Sequence, residues 1–173
     1  MENQTSSKGI ILNNGLYLGL IGVITALILY AMGKSLELQW VSSVVGFVAT
    51  VAFIIFGIKQ YKDANGGFIS WGQGVKIGMG IVMISALITI AYTILFTTVI
   101  EPDFQAQAME VQKQAWIDQG LSDEQIEAAA DMAEKFQGPG IASAFILAFS
   151  AFIGFVISAI VSAIMKKSEN DGY

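Results

Sequence analysis

The sequence predicts an all-α integral membrane protein: four membrane-spanning helices, with an extramembrane amphipathic helical hairpin between spans three and four. Three observations carry this. Four apolar runs, each long enough to cross a bilayer, occupy most of the 173 residues. No Asp, Glu, Lys or Arg lies well inside any of them. Between the last two runs lies an acidic stretch, 101–138, with nine carboxylates against Lys113 and Lys135.

Charged residues make up only 13% of the chain, against roughly 25% in a soluble domain. Uncharged apolar stretches of about 18 residues or more read as transmembrane helices. The spans run over about 10–32, 38–58, 75–100 and 141–165, which leaves no room for a separate soluble domain. Residues 1–173 are therefore a single membrane domain. The N-terminal stretch Met1 to Lys8 is polar and carries both Glu2 and Lys8. No A-x-A cleavage site follows the first apolar run, so that run is a retained span rather than a signal peptide.

Gly33, Lys34 and Ser35 join spans one and two so tightly that the two are antiparallel neighbours. The loop Lys59 to Gln73 joins spans two and three. Asn65-Gly66-Gly67 within it is a turn signal, because these residues tolerate positive φ. Phe68, Ile69 and Trp71 suit either the bilayer interface or a position under the bundle. Lys8, Lys59, Lys62, Lys76, Lys166 and Lys167 fall on one side of the membrane; Lys34, Lys113 and Lys135 fall on the other. The positive-inside rule then places both termini in the cytoplasm and the hairpin 101–138 on the outer, periplasmic side of an inner membrane.

Within the acidic stretch, Glu101-Pro102-Asp103 reads as a helix start, with Pro in the first turn and acids at the positive end of the dipole. A first helix is expected from Pro102 to Gln119, stopped by Gly120. Ser122 to Gln125 reads as a capping box that starts a second helix running to about Gln137. Gly138-Pro139-Gly140 is expected to break this second helix before span four. Phe104, Ala108, Val111 and Ala115, flanked by Met109 and Trp116, recur at helical spacing. Ile126, Ala129, Ala130, Ala133 and Phe136 do the same. The two faces are expected to be buried against each other. That leaves Glu124, Glu127, Asp131 and Glu134 as a solvated face or a docking face for a basic partner. No D-x-D-x-D-G loop is present to shape a calcium site.

Span four carries Ser150, Gly154, Ser158 and Ser162 four residues apart, a small-xxx-small ridge. It suits packing within the bundle or homodimerisation. Gly15 with Gly19, and Gly74 with Gly78, offer similar steps in spans one and three. Thr25, Ser42, Ser43, Thr50, Ser85, Thr89 and Thr93 can bond their own helix backbone and need no polar pathway to explain them.

The chain has no Cys, His or Arg. It therefore lacks disulfides, cysteine or histidine metal ligands, the commonest general base, and bidentate phosphate recognition. A net charge of −5 argues against nucleic acid as a partner. Intramembrane charges mark proton relays and ion paths, and their absence argues against an ion-coupled transporter.

Three segments give the chain a family likeness: KQYKDANGGFISWGQGVKIG (Lys59 to Gly78), EPDF (Glu101 to Phe104), and LSDEQIE followed by MAEKF (Leu121 to Phe136). With the four spans, these make it resemble the domain of unknown function 4199 family, uncharacterised bacterial four-span membrane proteins. The resemblance implies a four-helix membrane protein and carries over no catalytic residue.

The expected role is a non-enzymatic accessory or scaffold subunit of a bacterial inner-membrane complex, with no cofactor and no metal. Its partners would be the lipid bilayer and another membrane protein or a second copy. One alternative is a lipid-associated helper of an envelope glycosyltransferase that uses polyprenyl-phosphate substrates. Lys59, Lys62 and Lys76, beside Phe68 and Trp71, would contact the anionic headgroup. The other alternative is a small transporter or channel for a neutral solute.

Overall fold

In hydrocarbon every backbone N–H must find its acceptor within its own segment, so apolar runs of this length fold as helices. The computed structural model describes residues 7–136 and 138–167. Among the described residues there are six α-helices and no strand: α1 (Ser7–Ala31), α2 (Gln39–Ala64), α3 (Trp71–Leu95), α4 (Phe104–Asp118), α5 (Asp123–Phe136) and α6 (Pro139–Met165). A π-helical turn, Phe96–Ile100, continues α3. Four segments are long and apolar enough to cross a membrane: α1, α2, α3 with its π turn, and α6. Residues 1–6, with Glu2, and the predicted helix end at Gln137 lie outside the described residues. The chain divides into two compact units, one from Met1–Thr89 with Leu147–Tyr173, the other Ile90–Ile146.

In the first unit, α1 and α2 pack against each other. The core is a set of branched residues from several helices. Ile54, Ile58, Ile77 and Ile81 are almost wholly enclosed, and Leu18, Val82 and Val161 join them. The outer faces stay apolar: Trp40, Phe47, Phe152 and Ile164 are all exposed. Apolar exposure on this scale marks a surface built for lipid.

Several boundaries differ from the sequence reading. The second helix runs six residues past Ile58, to Ala64, so Lys59 and Lys62 lie on a helix and not in a loop. The stretch Lys59–Ala64 is polar but has good helix formers, so leaving the hydrocarbon does not end the helix. Asn65-Gly66 ends it. Gly66 sits at φ 67°, and the Gly67 N–H donates to the Lys62 carbonyl at 2.8 Å, a Schellman closure.

The third helix starts at Trp71, ahead of the predicted Val75, through a capping box absent from the sequence reading. Ser70 N–H donates to Gln73 Oε1 at 2.9 Å, and Gln73 N–H donates to Ser70 Oγ at 3.2 Å. The expected break between the second hairpin helix and span four is present, since α5 ends at Phe136 and α6 begins at Pro139; Pro139 and Gly140 fall after it and open α6, because Pro at the first helical position needs no N–H and already has helical φ.

The loop between α2 and α3 tucks under the bundle. Ile69 is buried, and it exchanges two backbone hydrogen bonds with Lys167, at 3.1 and 3.0 Å. Trp71 stays exposed while its Nε1–H donates to the Ala159 carbonyl at 3.1 Å.

A polar clasp that the sequence reading passed over joins α1 to α2. Asn14 is buried, and its Nδ2 donates to Gln60 Oε1 at 2.8 Å and to the Ile10 carbonyl at 2.8 Å. Interhelical side-chain bonds in membranes are worth about 1 kcal/mol. Asn14→Leu should therefore lower unfolding free energy by about that amount, read by denaturant titration in detergent micelles. No loss would show that the Asn14–Gln60 bond adds nothing to the pairing of α1 with α2. Of the seven hydroxyls expected to bond their own helix, Thr25, Ser43, Thr50 and Thr89 donate to the carbonyl four residues back.

In the second unit the π turn forms where Glu101 N–H donates to the Phe96 carbonyl at 2.8 Å. Pro102 follows and cannot donate, so the helix cannot continue. Phe96 is buried between Tyr92 and Phe104, with ring centroids 5.5 and 5.1 Å away. That aromatic contact holds the start of α4 on the end of the third span.

Candidate functional site

The acidic stretch forms the two predicted helices, with revised edges. The first begins at Phe104 and not Pro102, and Asp103 caps it with no side-chain bond. No acid occupies its first turn, so the expected dipole pairing is absent. Glu101 instead accepts from Gln107 Nε2 at 2.9 Å. Gly120, at φ 82°, adopts the left-handed conformation that a side chain would strain. Leu121 N–H then reaches Trp116 O at 3.1 Å and Gly120 N–H reaches Ile117 O at 2.9 Å, completing a Schellman stop. The capping box at Ser122 is present in both directions, at 3.0 and 3.4 Å.

The expected burial of the two apolar faces against each other is not found. No residue of α4 or α5 is fully buried. Phe104, Ala108, Ala115 and Trp116 are half-buried, as are Ile126, Ala129, Ala130 and Ala133, but Val111 and Phe136 are more than half exposed. The reason is local. Apolar residues of α4 lie on several sides, with Val111 and Ile117 exposed, so no single stripe can be covered by one partner helix.

Between α4 and α5 lies an open groove of about 790 Å³. Met109, Ile117, Ile126 and Ala130 give it an apolar lining. Five carboxylates, Glu110, Asp123, Glu127, Asp131 and Glu134, line it with Lys113 as its sole cation. Lys113 is already near Glu110, at 3.6 Å. Of the predicted acidic face, Glu127, Asp131 and Glu134 reach this groove, while Glu124 is exposed elsewhere. Glu110 and Asp123 were not singled out from sequence. Placing Glu110 needs the pairing of the two helices, which periodicity within one helix does not supply. Among the described residues no cluster of acidic side chains has a geometry suited to a metal ion.

The predicted lysine trio is divided in its bonding. Lys59 and Lys76 are exposed. Lys62 Nζ donates to the Met165 carbonyl at 2.9 Å, closing the C-terminal end of α6. Lys167, two residues beyond the end of α6, lies over the Phe68 ring at 5.6 Å from its centroid.

The ridge on α6 faces glycines of α3. Ser158 packs on Gly78 and Ser162 on Gly74, so closely that neither glycine has room for a Cβ. Gly154 faces Val82, and Ser150 is half-buried. The Ser158 and Ser162 hydroxyls are buried without a hydrogen-bond partner.

These features define an all-helical, multi-pass membrane protein class with one polar helical insertion. The family model described as "Protein of unknown function (DUF4199)" matches residues 13–167, and the chain belongs to that family. No curated protein and no solved structure matches it.

Proposed function

We propose that this chain is a non-enzymatic accessory or scaffold subunit of a bacterial inner-membrane complex, and that the groove between α4 and α5 receives a basic amphipathic segment of its partner. The observation that carries this reading is the groove itself: an apolar lining edged by five carboxylates and a single lysine. A helix with Lys or Arg along one edge and aliphatic side chains along the other matches both features. The charged residues of the spans, Lys8, Lys59, Lys62, Asp63 and Lys76, lie near helix ends, so none is placed in mid-membrane to relay protons or carry an ion. The lysine asymmetry supports cytoplasmic termini and an extramembrane hairpin, α4 and α5, on the outer side. The lipid-headgroup alternative retains Lys59 and Lys76 but finds Lys62 engaged by α6.

The chain has no cysteine, so a single Ala130→Cys variant gives one clean attachment point in the groove. A membrane-impermeant maleimide crosslinker applied to intact cells lacking an outer membrane barrier should label it and yield a discrete adduct. Glu127→Lys, Asp131→Lys and Glu134→Lys together should reduce that adduct at least roughly tenfold, since charge reversal opposes a basic partner at close range. An adduct unchanged by the reversal would remove the docking reading. Labelling only after the membrane is permeabilised would reverse the orientation.

A further inference from the structure

We propose that the hairpin of α4 and α5 lies in the bilayer interface, with the side opposite its groove seated on zwitterionic lipid and the acidic groove turned to water. This seating rests on the extramembrane hairpin of the proposed function but not on a protein partner for its groove. Each helix carries two stripes, read from spacings of three and four residues. On α4, Ala106, Glu110, Lys113 and Ile117 line the groove, and Phe104, Ala108, Val111 and Ala115 form a second stripe. On α5, Asp123, Glu127, Ala130 and Glu134 line it, and Ala129, Met132 and Phe136 form the second stripe. No residue of either second stripe lines the groove. The two helices pair, and their short joint at Gly120 makes them antiparallel. Half-buried Met109 and Trp116 on α4, and Ile126 and Ala133 on α5, fall between the stripes. The helix contact therefore lies there, and both second stripes share the side away from the groove.

That side is where the spans leave the hairpin. Phe104, on the second stripe of α4, meets the Phe96 ring at 5.1 Å. Eight residues along an unbroken helix advance about 12 Å, so the chain folds back at Glu101 to Asp103 and the third span departs from this side of α4. α5 ends at Phe136 and α6 begins at Pro139, with exposed Ile141 and Phe145 in its first two turns. The second stripes thus meet candidate spans at both ends, at the depth where hydrocarbon gives way to headgroups. Val111, Met132 and Phe136 are more than half exposed on this side. A soluble partner or a second copy would have to enter between them and the bilayer.

Charge divides the same way. Glu110, Asp123, Glu127, Asp131 and Glu134 line the groove. Asp118 and Gln125 continue the second stripes only at the Gly120 joint, the end of the hairpin farthest from the spans, so the joint stays wet. A helix with one charged face and one apolar face lies in the interface plane, its apolar side about 5–10 Å into the boundary between headgroups and acyl chains. Basic helices of this kind are drawn to anionic lipid. The stretch 101–138 carries nine carboxylates against Lys113 and Lys135, so anionic headgroups repel it and zwitterionic ones accept it.

The test uses the full chain in phosphatidylcholine nanodiscs. It has no cysteine, so single nitroxides at Val111→Cys, Met132→Cys and Phe136→Cys report the lipid side, and those at Ala106→Cys and Ala130→Cys report the groove. Oxygen collects in hydrocarbon, a nickel chelate in water. The first three labels should be open to oxygen, closed to nickel and about 5–10 Å below the phosphates; the groove pair should be open to nickel. Replacing half of the lipid by phosphatidylglycerol should lift the three labels toward water, and salt at about 1 M, where the screening length is about 3 Å, should reverse the lift. Val111→Asp with Met132→Asp should open the Phe136→Cys label to nickel; the single-label series stands even if that variant fails to fold. Nickel access at Val111→Cys and Met132→Cys equal to that in the groove overturns the proposal. Shielding from both reagents, with spin–spin broadening between copies, puts a second copy in place of lipid and overturns it too. A depth unchanged by phosphatidylglycerol overturns the choice of lipid. Loss of the partner adduct at Ala130→Cys would leave every one of these readings in place, so the seating and the docking fail separately.

Discussion

Replacing Gly78 by Val should separate α3 from α6 and destabilise the protein by about 3 kcal/mol or more, the upper range for overpacking. A Cβ at Gly78 would coincide with the Ser158 hydroxyl, and it would also lie 2.8 Å from Ser158 Cβ and 3.1 Å from Ile54 Cγ2. In water, displaced helices could recover some apolar burial. In lipid the tails are as apolar as the side chains, so association rests on close packing and nothing replaces it. The measurement is the unfolding midpoint in detergent or by steric trapping in bicelles. Gly78→Ala with Ser158→Gly should recover most of the loss of Gly78→Ala alone, because the remaining Ile54 contact needs to yield only a few tenths of an ångström. Ser158→Ala alone should be neutral or slightly stabilising, since its hydroxyl is buried without a partner and leaving such a group buried is unfavourable. A Gly78→Val protein as stable as wild type would show that α3 and α6 do not meet as described.

Gly15→Val should be at least as damaging, and it should resist rescue. Its Cβ would lie 2.6 Å from Ile84 Cβ and 2.9 Å from the Ile81 carbonyl oxygen. Ile84 Cβ is fixed to the backbone and the carbonyl is backbone, so no rotamer change relieves either contact. Ile84→Ala shortens the side chain but keeps its Cβ and leaves the carbonyl where it is. The expected result is a protein that loses its cooperative thermal transition, about 3 kcal/mol or more below wild type, with little recovery in the Gly15→Val, Ile84→Ala double variant. Gly22 is the internal control: nothing lies within 4 Å of a Cβ there, so Gly22→Ala should be tolerated. Recovery in the double variant would place the barrier in the Ile84 side chain and not in the helix backbone.

The span pattern was legible because it depends on composition over a window longer than any boundary error. Apolar runs without charge must be helical in lipid, whatever they pack against. The glycine stop at Gly120 and the capping box at Ser122 were legible for a similar reason, as both are satisfied within a few neighbouring residues. The box at Ser70 to Gln73 has the same chemistry and was still passed over, because Trp71 and Gly72 resemble an interfacial loop when the apolar run is taken to begin at Val75. The extension of α2 to Ala64 was missed because hydropathy ends at Lys59 whereas helix propensity does not.

The candidate site divides along the same line. Glu127, Asp131 and Glu134 share a face by periodicity alone, so they were found together. Glu110 joins them only because α4 and α5 pair as they do, and Lys62 leaves the exposed lysine set only because the end of α6 comes within reach of its Nζ.

The sequence by itself therefore determined the helical class, the number of candidate spans, the acidic insertion and its internal stops. All of these follow from short-range hydrogen bonding and from the transfer of side chains between water and lipid. The tertiary structure alone decided which glycine receives which serine or isoleucine, which carboxylates share a groove, and which lysine is engaged. These are contacts between residues far apart in the chain, set by shape at the scale of a single methyl group, and no periodicity along one helix encodes them.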